Sequence, residues 1–153
     1  MGANRQVTVS TVLERKNPGL PVFVVIPGRF IASWKLAGTT VIEGTANGRA
    51  FGRRNIKAWG KGSDNWFLEF TAPFCRAAGL DVGDSISLQL RVADMSLPPE
   101  LETLLLTSKA LTQSWAKLTD AQRRDASEHV RATKSLAARK RRAEAVVGKL
   151  GPS

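Results

Sequence analysis

The periodicity of apolar residues changes once along this chain, near Asp94, and that change constrains the fold more than any single motif. Ser85 to Val92 alternates cleanly, placing Ile86, Leu88, Leu90 and Val92 on one face of a strand. From Pro98 onward no alternation survives. Leu101, Leu104, Leu105 and Ser108 recur instead at helical spacing. Residues 1–96 therefore read as a β domain and residues 97–153 as a helical one.

Within the β part, Val7, Val9 and, after a break, Val12 interleave with Thr8, Ser10 and Thr11 as a half-buried strand does. Asn17-Pro18-Gly19 is a turn, and Val22 to Ile26 is an all-apolar buried strand ended by Pro27-Gly28. Arg29 to Leu36 reads as a short helix or connecting turn. Thr40 to Ala46 resumes strand composition, and Asn47-Gly48 predicts a hairpin. The returning strand covers Arg49 to Arg54, with Ile56 to Trp59 as a further strand. Gly60 to Asn65 is a loop, and Trp66 to Phe70 is another strand. Pro73 to Ala78 predicts one or two helical turns closed by Gly79. Short strands separated by glycine-rich turns indicate a compact barrel rather than alternating strands and helices.

The C-terminal part divides into three predicted helices. Trp115 and Leu118 extend the apolar content of the first. Thr119 followed by Gln122 is a capping box for the second, from Asp120 to about Thr133, and Ser135 caps the third. In that last helix Leu136, Ala143, Val147 and Leu150 fall on one arc, with Arg141, Arg142 and Lys149 opposite.

Charge and cysteine usage narrow the function. The chain of 153 residues carries 23 Lys+Arg against 13 Asp+Glu, a net charge of +10, which favours an anionic partner or solubility by self-repulsion. A single cysteine, Cys75, excludes an internal disulfide framework and favours a reducing cytoplasm. With one histidine besides, His129, a Cys/His zinc site within one chain is excluded. No cofactor is implied. No apolar run approaches the about 20 residues of a membrane helix, and no secretory signal is visible.

Two stretches resemble known bacterial families. Val41-Ile42-Glu43-Gly44-Thr45-Ala46-Asn47-Gly48-Arg49-Ala50-Phe51, followed by Phe74-Cys75-Arg76-Ala77-Ala78-Gly79-Leu80-Asp81-Val82-Gly83-Asp84 and a final strand ending at Asp94, resembles a domain family of unassigned function. That resemblance implies a double-split β-barrel, the swapped-hairpin architecture of small bacterial regulators and antitoxins; regulators of similar fold usually act as intertwined dimers, which leaves a homodimer open for this chain. The tail resembles the helical bacteriocin-protection domain, also called YdeI/OmpD-associated. It carries Pro98-Pro99-Glu100-Leu101, Trp115, Leu118-Thr119, Arg123-Arg124, Ala132-Thr133-Lys134 and Arg139 to Arg142. It departs where that family has Glu-Thr-Arg after the lysine, since this chain reads Ser135-Leu136-Ala137-Ala138-Arg139. Both resemblances imply folds rather than activities. The fold expectation is α+β: a small split β-barrel followed by a three-helix region.

The residues offer little to catalysis. There is no nucleophile elbow, phosphate-binding loop or His-Glu-x-x-His motif. Cys75 beside Arg76 reads more simply as a buried structural cysteine than as a nucleophile. Asp81 and Asp84 read as a turn cap rather than an acid/base pair. Binding is the stronger expectation. Trp34, Trp59 and Trp66 sit beside loops and would wall a pocket for a small molecule or peptide, with Arg53 and Arg76 as polar anchors. The bacteriocin-protection resemblance adds an antimicrobial-resistance role. The alternative is a nucleic-acid-binding regulator that places Arg139, Arg141, Arg142 and Lys149 on phosphates. A second basic strip, Arg49, Arg53, Arg54, Lys57 and Lys61, surrounds the hairpin. A third reading is a structural module for a protein partner. The sequence leads to a non-catalytic, cytoplasmic binding protein.

Overall fold

The computed structural model describes residues 5–60 and 62–150. Lys61, placed by sequence in the basic strip, lies outside the described residues. The chain divides between Met95 and Ser96 into two compact units.

The first unit is a nearly closed six-stranded antiparallel barrel. Its strands are β1 (Val7–Val12), β2 (Val22–Ile26), β3 (Thr40–Ala46), β4 (Arg49–Ala58), β5 (Trp66–Phe70) and β6 (Ser85–Val92), in the order β1-β6-β3-β4-β5-β2. The open edges β1 and β2 meet at one bridge. Glu14 and Phe23 exchange backbone hydrogen bonds of 2.8 and 2.9 Å, and the Thr11 hydroxyl donates to the Val25 carbonyl at 2.9 Å. Closure removes most of the exposed ladder that an open sheet would present.

The interior follows from alternation. Ile86, Leu88 and Leu90 of β6 are buried, as are Val24 and Ile26 of β2 and Leu68 and Phe70 of β5. In β1 the inward set continues through Thr11 to Leu13, which is 1% exposed, while Val12 faces outward at 44%. The two segments expected after the Asn47-Gly48 turn form one strand, β4, because its pairing passes from β3 to β5 without interruption. β3 lies so close to β6 at Gly44 that a Cβ there would lie 1.8 Å from the Gln89 carbonyl oxygen, and the pairing of β3 with β4 shifts register at Gly44/Thr45. Gly28 to Trp34 makes two short 3-10 turns.

Helix α1 (Ala72–Ala78) plugs the chain between β5 and β6. The Thr71 hydroxyl accepts from the Phe74 amide, Pro73 occupies the first turn, and Gly79 closes the helix at φ 69°. That left-handed cap lets Leu80 turn back into the core, where it is 6% exposed.

Among its described residues the second unit holds four helices rather than three: α2 (Pro99–Leu105), α3 (Lys109–Ala116), α4 (Asp120–Arg131) and α5 (Leu136–Leu150). The expected first helix breaks because the Ser108 side chain caps a new one, accepting from the Leu111 amide. Thr119 and Gln122 form the full capping box of α4. The core joins Leu101, Leu105, Trp115, Val130 and Ala143. Leu136, assigned by periodicity to the buried arc, is 77% exposed, because it occupies the first residue of α5, where the helix has not yet reached that core. Among the described residues no helix is long and apolar enough to cross a membrane.

Candidate functional site

A cleft of about 1110 Å³ opens in the barrel unit between the β1–β2 connection and α1. Leu13, Val22, Phe70, Cys75 and Leu80 are buried where they line it, so its floor is apolar. Three arginines share its wall: Arg15 just past β1, Arg54 on β4 and Arg76 on α1. Glu69 and Asp81 are the acidic members. Glu69 stands 3.8 Å from Lys57, and the Asp81 amide donates to the Asp84 carboxylate at 2.8 Å. The second contact is the turn cap that the Asp-x-Gly-Asp pattern suggests.

Arg54 is the most confined of these cations. Its Nε is buried without a hydrogen-bond partner, and its guanidinium lies 6.0 Å from the Phe74 ring centre. Phe74 in turn stacks on Phe70 at 5.2 Å. Loss of hydration lowers the arginine's pKa below its ordinary value. Cys75 is 8% exposed. Burial pushes its thiol pKa up, while the Arg54 and Arg15 charges pull it back and Asp81 adds to the rise. At neutral pH the cleft therefore presents a protonated thiol beside cationic groups.

The five residues expected to bind a ligand are not gathered in one place. Arg76 lines the cleft. Trp34 is 4% exposed in the barrel core, and its indole NH donates to the Arg5 carbonyl at 2.8 Å. A loop-adjacent tryptophan so enclosed has almost no surface to offer a ligand. Trp59 is 44% exposed and packs on Phe23 at 5.4 Å and Phe67 at 5.6 Å, an aromatic cluster outside the barrel. Trp66 borders a separate hollow of about 350 Å³ with Gly28, Arg29 and Asp64. The Arg53 guanidinium donates to the Asp94 carbonyl at 2.9 Å. Arg15 and Leu20 of the cleft escaped sequence reasoning. The spacing Pro18-Gly19-Leu20-Pro21, an apolar residue held between prolines in a turn, is the signal that could have found them.

In the helical unit the basic residues divide by role. Arg139 forks onto both Glu100 oxygens at 3.1 Å, holding the carboxyl below its ordinary pKa chiefly through that hydrogen bond. Arg142 donates to the His129 carbonyl at 2.8 Å. Arg123 reaches the Trp115, Ala116 and Leu118 carbonyls and pairs with Asp120, closing the end of α3. Arg141 and Lys149 stand exposed. Of the four residues considered for nucleic acid, Arg139 and Arg142 thus bind their own chain.

The family described as Bacteriocin-protection, YdeI or OmpD-Associated matches residues 94–151, which take in all four helices of the second unit. No curated protein and no solved structure matches the chain.

Proposed function

We propose that this protein binds a small molecule or peptide without catalysis, in the cleft at the α1 end of the barrel, and that binding protects against an antimicrobial compound. The observation that carries this reading is the coexistence, in one cleft, of an apolar floor and three arginine side chains. Ligand sites combine apolar walls with a few placed polar groups in this way. The description of the family that the helical unit resembles supports the protective role. Arg76 keeps the anchoring role expected of it, and Arg54 and Arg15 join it in place of the tryptophans.

Thermal melting against a panel of small amphipathic compounds and antimicrobial peptides tests this reading. At a hundredfold excess over Kd, a true ligand adds about 2.7 kcal/mol, a rise of several degrees. Leu20→Asp and Val82→Asp, which place charge on the cleft's apolar rim, remove that rise while leaving the unliganded melting temperature nearly unchanged. A panel in which no compound raises it contradicts the proposal.

A further inference from the structure

We infer that the cleft's ligand is an amphipathic oxyanion, with a carboxylate or phosphate head at Arg54 and an apolar body against Leu20 and Val82. This rests on the binding role proposed for the cleft. Three features converge on that chemistry.

The cations outnumber the acids on the wall, and one acid, Glu69, already faces Lys57. Arg54 is partly stripped of water, with a buried Nε that no acceptor among the described residues reaches. A guanidinium in that condition gains most from an acceptor that is itself charged, because a charge-assisted hydrogen bond replaces lost hydration and a carboxylate or phosphate matches the fork. Arg15 and Arg76, exposed at the rim, add attraction for the same sign of charge.

The rim is also apolar. Leu20 is 46% exposed and Val82 53%, and Pro18 and Pro21 flank Leu20. An inorganic anion would leave this surface wet, whereas a ligand with a hydrocarbon body covers it. A cationic amphiphile meets three like charges. A neutral one leaves Arg54 dehydrated and unmatched.

Cys75 offers a built-in reporter, being the one cysteine of the chain and a member of the cleft wall. The full-length protein is alkylated with N-ethylmaleimide in the presence of octanoate, octyl phosphate, octanamide, octylamine or acetate, each rate being normalised to that of the same variant without ligand. Octanoate or octyl phosphate is expected to slow labelling more than tenfold at saturation. Octanamide should require at least tenfold more for equal protection, and acetate and octylamine should give none. Arg54→Gln raises the half-protecting concentration of octanoate about tenfold, the size of one charge-assisted contact. Arg76→Gln, on the surface, gives a smaller rise and covers the case in which Arg54→Gln fails to fold. A short peptide ending in leucine, as free acid and as amide, separates the two sources of a carboxylate. Protection by the acid alone identifies a peptide terminus, and protection by octanoate without the peptide identifies a free amphiphile. Equal protection by octanoate and octanamide, unaffected by either arginine variant, overturns this inference and leaves the cleft itself standing. Protection by none of these probes overturns it too, while the thermal panel decides the fate of the cleft.

Discussion

Arg54 and Cys75 line one cleft from different elements, strand β4 and helix α1, and each alters the other's ionisation. Burial raises the thiol's pKa and lowers the guanidinium's. The positive charge then draws the thiol back toward its ordinary value. Neither group sits at its solution pKa, and the cause in both cases is shared desolvation at the mouth of the barrel.

The alkylation rate of Cys75 should accordingly rise with an inflection above 9.0, the ordinary thiol value. Arg54→Gln removes the largest acidifying charge and moves the inflection higher still. A pH series of iodoacetamide labelling measures both. An inflection at or below 9.0 in the native protein, or a downward move in the variant, contradicts the assignment.

The barrel was legible in sequence wherever each residue's environment follows from its neighbours in the chain. The alternation of Ser85 to Val92, the Asn47-Gly48 hairpin and the Thr119/Gln122 capping box all appear as local patterns and recur in space. The α2–α3 break was hidden because Thr107 and Ser108 are compatible with a helix interior until the Ser108 side chain takes the Leu111 amide. The cleft was the least legible feature. Arg15, Arg54 and Arg76 are far apart in sequence and come from the segment after β1, strand β4 and helix α1, so that they share one wall only in the folded unit. Trp34 misled for a related reason: its loop setting suggests exposure, but a distant carbonyl at Arg5 draws its indole inward.

In the helical unit, Glu100 and Arg139 bind α2 to α5 with side chains only 18% and 20% exposed. Glu100→Gln should cost about 2 kcal/mol, the loss of a charged, largely buried hydrogen-bonded pair. Because the folded carboxyl pKa is depressed, its stabilisation is fully present above the unfolded value, near 4.5, and declines as pH falls through the folded value. Urea titrations of the native protein and the variant should therefore differ at pH 7 and converge in acid. A gap that widens as pH drops would reverse the sign of this account.

Gly44→Ala tests the close approach of β3 to β6. The added Cβ would meet the Gln89 carbonyl oxygen at 1.8 Å and its carbon at 2.9 Å, both backbone atoms that cannot rotate away. A loss of about 3 kcal/mol is expected from forced displacement of β6. Gly148→Ala, which meets nothing within 4 Å, is its control and should be neutral or slightly stabilising in the helix. Equal melting temperatures for the two variants would contradict the close approach.

The most direct test of the cleft as the binding site is a nuclear magnetic resonance titration of the isotope-labelled protein with octanoate. The account predicts that the largest shifts fall together on the amides of Leu13, Leu20, Arg54, Cys75 and Leu80, with those of residues 96–150 and of Trp59 unmoved. Shifts concentrated instead on the helical unit or around Trp59 would contradict it.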